Sequence, residues 1–77
     1  MKNNTVVKKL MERHEYDADQ VMEWCCVLIE EHGAKSGGAV TILEQLDIDP
    51  TAENVDALNR IAVEAFGIYP WFGEKKK

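Results

Sequence analysis

The chain has 77 residues, 45% of them apolar and 30% charged, with a formal net charge of −5. This is the make-up of one soluble globular domain rather than of a disordered segment, and its longest uninterrupted apolar run, Trp24 to Ile29, is far too short to span a bilayer. A domain of this size buries only about 60% of the surface its unfolded form exposes, so its core is thin and help from a partner or a second copy is expected.

In chain order, Thr5 is placed to cap a short first helix that carries Val6, Val7, Leu10 and Met11 on one side and ends near His14. "DADQ", Asp17 to Gln20, has the spacing of a capping box with Asp in place of Ser or Thr. It predicts a second helix over about residues 18 to 32, stopped by Gly33 at a C′ position. Inside it "WCCVLI" is six consecutive apolar residues, which at 3.6 residues per turn cover the whole circumference. Such a helix is either central to its own bundle or covered in part by another chain, such as the second copy of a homodimer.

Residues 39–46 follow a glycine-rich stretch and fit a short helix with Val40, Leu43 and Leu46 on one face, although Val-Thr-Ile also suits a strand. "IDPTAENVDALNRIAVEAFG" then predicts a helix with Asp49 as N-cap, Pro50 at N1 and Gly67 as terminator. Val55, Leu58, Ala62, Ala65 and Phe66 are assigned to its inner face, and Glu53, Asp56, Arg60 and Glu64 to the solvated one. The chain closes on "IYPWF" and a lysine run. The expected architecture is all-α: a single small bundle over 1–77 of about four short helices with an aromatic C-terminal tail, its ends fraying at residues 1–4 and 74–77.

Charge is unevenly distributed. All fourteen acids lie between Glu12 and Glu74, where Arg13, Lys35 and Arg60 are the only bases, a local charge of −11. The other six lysines sit outside this body, at Lys2, Lys8, Lys9 and Lys75 to Lys77, and form no basic stripe. The body repels a nucleic-acid backbone and favours basic protein partners, so no direct nucleic-acid contact is expected. No membrane contact is expected either, and the polar, amphipathic N-terminal segment lacks the apolar core of a signal peptide, which places the chain in the cytoplasm.

The stretch "HGAKSGG" resembles a phosphate loop only loosely, because Lys35-Ser36 precedes its glycine pair and a helix, not a strand, stands upstream. A turn between helices accounts for it, while Lys35, Ser36, Gly37 and Gly38 offer an alternative site for a small anion or nucleotide at a helix start. His14, His32, Cys25 and Cys26 lack metal-ligand spacing, Cys25 and His32 being about 10.5 Å apart along a helix. Asp47 and Asp49 start no calcium loop, since the sixth place is not glycine and Leu58 takes the twelfth. Adjacent Cys25 and Cys26 diverge by about 100° on a helix and cannot bridge to each other without strain, so both read as small apolar residues. No nucleophile with a base and an orienting group is recognisable.

The expected function is therefore non-catalytic: a protein-binding regulator or inhibitor, with no cofactor, that meets a basic protein, for example one that handles nucleic acid. Tyr69, Trp71, Phe72 and Trp24 would supply the apolar contact, and Glu53, Asp56 and Glu64 the charge. The core alternative for the tail is that its rings fold back and seal the bundle. The alternative function is a homo-oligomer that binds a small anion or nucleotide through residues 33–39.

Overall fold

The structure is a computed structural model that describes residues 3–32 and 37–71. Among these residues the chain forms four α-helices and no strand: α1 (Thr5–His14), α2 (Ala18–His32), α3 (Gly38–Gln45) and α4 (Ala52–Phe66). The all-α bundle read from the sequence is the fold. Helices α2 and α4 each pack against the other three, while α1 and α3 do not pack on each other. None of the described helices is long and apolar enough to cross a membrane.

The start of α1 is capped by Asn4 rather than by Thr5. Its Oδ1 accepts from the Val6 and Val7 amides at 3.0 and 3.2 Å, and its Nδ2 donates to the Ala57 carbonyl of α4 at 2.8 Å. One buried amide thus satisfies two of the free N–H groups of α1 and ties it to α4. Residue 4 is consequently a fixed point, not part of a frayed end; residues 1, 2 and 74–77 lie outside the described residues. Val6, Val7 and Leu10 enter the core as expected, and Met11 packs against its edge. At the other end of α1, Arg13 reaches across to donate to the Leu46 and Asp47 carbonyls, at 3.0 and 2.8 Å, and so caps the end of α3.

The capping box of α2 is formed as read. The Gln20 amide donates to Asp17 Oδ1 at 2.8 Å and the Asp17 amide to Gln20 Oε1 at 3.0 Å. Val21, Cys25, Leu28 and Ile29 make its buried face, at spacings of four, three and one. The apolar run is only partly wrapped: Trp24 and Cys26 are half-buried and Val27 is 50% exposed. Gly33, its expected terminator, lies outside the described residues.

Helix α3 buries Gly38, Ala39, Ile42 and Leu43, with Leu46 just after it, so Val40 is half-buried rather than a core residue. Gly37 precedes it with φ +77°, a left-handed conformation that costs glycine little. Gly38 is needed for a different reason: a Cβ there would overlap the His32 carbonyl oxygen at the end of α2 and crowd Trp71 Nε1.

The N-cap of α4 is Thr51, not Asp49, and Pro50 stands outside the helix. Thr51 Oγ1 accepts from the Asn54 amide at 3.2 Å, and Asn54 Nδ2 donates back to the Asp49 carbonyl at 2.8 Å. Gly67 ends the helix with φ +70°, its amide donating to the Val63 carbonyl at 2.9 Å. Val55, Leu58 and Ala62 face the core as assigned. Ala65 and Phe66, assigned to the same face, are exposed, and the buried face of α4 ends at Ala62.

Candidate functional site

The tail divides at Pro70. Trp71 is 2% exposed, and the buried amide of Asn59 holds its backbone on both sides. Trp71 N–H donates to Asn59 Oδ1 at 3.1 Å, and Asn59 Nδ2 donates to the Trp71 carbonyl at 3.4 Å. The expectation that Trp71 contacts a partner is corrected: its ring closes the core. Its indole N–H is buried and finds no acceptor among the described residues. Phe72 lies outside them.

Tyr69 stays at the surface. Its hydroxyl donates to Asp56 Oδ1 at 2.7 Å, while Arg60 Nε donates to Asp56 Oδ2 at 2.9 Å. These two bonds, the phenol first and the guanidinium second, hold the Asp56 carboxyl below its ordinary value, and the same bond raises the Tyr69 phenol. Around this anchor, Val63 and Phe66 on the last turns of α4 are 46% and 39% exposed, and Ile68 and Tyr69 are comparably open. Four of the six exposed large apolar residues of the described chain therefore lie within seven positions. Glu53 and Glu64 are exposed on the same helix, and a groove of about 480 Å³ runs beside it, lined by Asn3, Thr5, Glu53, Asp56 and Arg60 among others.

Val63, Phe66 and Ile68 are absent from the site as read in the sequence. Phe66 falls on the inner arc of a helical projection, and no periodicity reveals where the covering layer stops. Val63 was legible in principle, since it shares an arc with Asp56 on the polar side of α4.

Trp24, the remaining partner-binding candidate, belongs to a second surface on α2. Its ring meets Tyr16 and His14 edge to face, with centroids 6.0 and 5.3 Å apart, and His14 stacks on Tyr16 at 5.6 Å. Tyr16, Gln20, Glu23, Trp24 and Val27 line an open groove of about 490 Å³.

Of the residues proposed for an anion, Lys35 and Ser36 lie outside the described residues. Gly37 and Gly38 serve the junction of α2 and α3, with Gly38 pressed against the His32 carbonyl. His32 Nε2 lies 3.3 Å from Gln45 Nε2 and 3.8 Å from a Glu31 oxygen. Burial pushes the Cys25 thiol up to about 12, with Cys26 adding to the effect. The Cys26 thiol is also raised, by burial first and then by Glu30 and Glu23. Neither is an activated nucleophile at neutral pH. Among the described residues no three His, Cys, Asp or Glu side chains converge as metal ligands. No family model matches the chain, and neither a curated protein nor a solved structure shows significant similarity to it.

Proposed function

We propose that the chain is a non-catalytic regulator that works by binding another protein, whose basic surface its carboxylates attract and whose apolar surface its exposed side chains hold. The observation that carries this reading is the group of Val63, Phe66, Ile68 and Tyr69, open to solvent at and just after the end of α4, with Asp56 bonded to Tyr69 and with Glu64 and, in the first turn, Glu53 exposed on the same helix. Contiguous apolar surface with a charged rim is the usual anatomy of a protein contact, and opposite charge speeds the encounter more than it strengthens the complex. In its sharper form the partner is a nucleic-acid-handling protein whose phosphate-binding groove the acidic body occupies. A cytoplasmic setting belongs to this reading.

The test is affinity capture from the native cell with the wild-type chain and a Phe66→Asp, Ile68→Asp variant as paired baits. The reading expects a protein retained by the wild-type bait, lost from the variant, and retained less as salt rises. Capture indifferent to the variant and to salt overturns it. Sedimentation of the bare chain separates a homodimer that uses the same patch, since self-association would sharpen with concentration and vanish in the variant.

A further inference from the structure

The α2 surface combines features that select one kind of ligand. Tyr16 and Trp24 stand nearly perpendicular, at 83°, and form a corner of two aromatic rings. His14 touches both rings but does not line the groove, so it backs the corner. Spacings of three, one and three put Gln20, Glu23, Trp24 and Val27 along one stripe of α2, and Tyr16 joins their lining from the segment before the helix. Among the described residues Glu23 is the only charged one of that lining. Glu15, Asp17, Asp19, Glu30 and Glu31 flank it in sequence, and between Glu15 and Glu31 there is no Lys or Arg.

Aromatic faces carry negative charge density, and a carboxylate beside an aromatic face makes a receptor for a cation. Val27, half exposed at the end of the groove, provides apolar surface for the methylene stem that a lysine or arginine carries behind its charged head. We propose that the corner of Tyr16 and Trp24, with Glu23 at its rim, receives a lysine or arginine side chain from a basic segment of a protein partner. This inference rests on the reading of the chain as a protein-binding regulator and gives that reading a second contact, distinct from the α4 patch. Charge decides among occupants. A second copy docked face to face would set these carboxylates against their own equivalents, and an anionic lipid surface would be repelled by the same groups.

The experiment is an NMR titration of the full, ¹⁵N-labelled chain with an amphipathic helical peptide of lysine, leucine and alanine, and with the same peptide bearing glutamate for lysine. The two tryptophans give an internal control, since Trp24 borders the groove and Trp71 is sealed in the core. The proposal expects the Trp24 indole N–H and the amides of residues 16–27 to shift with the lysine peptide alone, with the Trp71 indole unmoved. Trp24→Leu, which keeps an apolar side chain but removes the ring, and Glu23→Gln, at an exposed position, should each weaken the interaction by about tenfold. The Trp71 resonance reports that each variant is folded.

Wild-type affinity in both variants overturns the proposal. So do concentration-dependent shifts without peptide, which indicate a second copy, and equal shifts with tetramethylammonium alone, which indicate a small-cation receptor. Shifts confined to Val63, Phe66 and Ile68 overturn this assignment while leaving the general protein-binding reading intact. Failure of the paired-bait capture, by contrast, would remove that general reading.

Discussion

Asn59 shows how much one side chain can decide. Buried at 2% exposure, it spends its carbonyl oxygen and its amide nitrogen on the backbone of Trp71. Asn59→Ala leaves a buried N–H without a partner and should cost about 1–3 kcal/mol, read as a lower denaturant midpoint with unchanged slope. A red-shifted Trp emission would show that the ring has come loose. The Tyr69 and Asp56 pair gives a pH signature. The Asp56 carboxyl is depressed, so its contribution is complete above its ordinary value of 3.8 and is lost as pH falls through the lower folded value. The Tyr69 phenol is raised, so its contribution is complete below its ordinary value of 10.0 and is lost as pH rises through the higher folded value. Tyr69 ring resonances should hold constant between those limits and move beyond each. That Tyr69 and Trp71 part company across Pro70 was not legible in "IYPWF", because an aromatic residue suits a core and a contact surface equally. The choice was made by a distant asparagine.

Helix identity was readable where hydrophobic period and cap chemistry agreed. Asp17 and Gln20 cap each other as their spacing implied, and α2 spans the expected residues. The start of α4 was misplaced because two cap candidates, Asp49 and Thr51, bracket Pro50, and proline's preference for N1 favours the earlier one. Thr51 prevails with a partner that sequence spacing does not advertise: Asn54 takes the Asp49 carbonyl with its own amide, and the Thr5 hydroxyl donates to Asn54 Oδ1 at 3.1 Å. The junction of α2 with α3 makes the sharpest prediction at this scale. Gly38→Ala adds a methyl group against a backbone carbonyl, which cannot rotate aside, and α3 must shift. The expected loss is about 1–3 kcal/mol by thermal or chemical unfolding, despite alanine's better helix propensity. A neutral or stabilising outcome would mean that the two helix ends have room to part.

For the molecule as a whole, charge acts in opposite directions on folding and on binding. The acidic body repels itself, so raising NaCl from about 20 mM to about 200 mM should lift Tm by up to about 4 °C while weakening capture of a basic partner. Calorimetry and the salt arms of the capture experiment check the two halves separately, and a fall of Tm with salt would show that attractive pairs outweigh the repulsion. The fold class and the sign of the surface were legible because both follow from composition and period. The sites were less so. Exposure at Val27, Val63 and Phe66 depends on which faces the neighbouring helices leave uncovered, and that is a property of the assembled bundle.

The bond from Asn4 Nδ2 to the Ala57 carbonyl joins residues 53 positions apart. In a helix that opens from its end, the first amides are among the earliest to trade hydrogen for deuterium. Here Val6 and Val7 donate to a side chain that is itself bolted to the opposite helix, so their release requires the two helices to separate. Their deuterium uptake should therefore be slow and follow that of the α4 interior, with Asn4→Ala uncoupling the two.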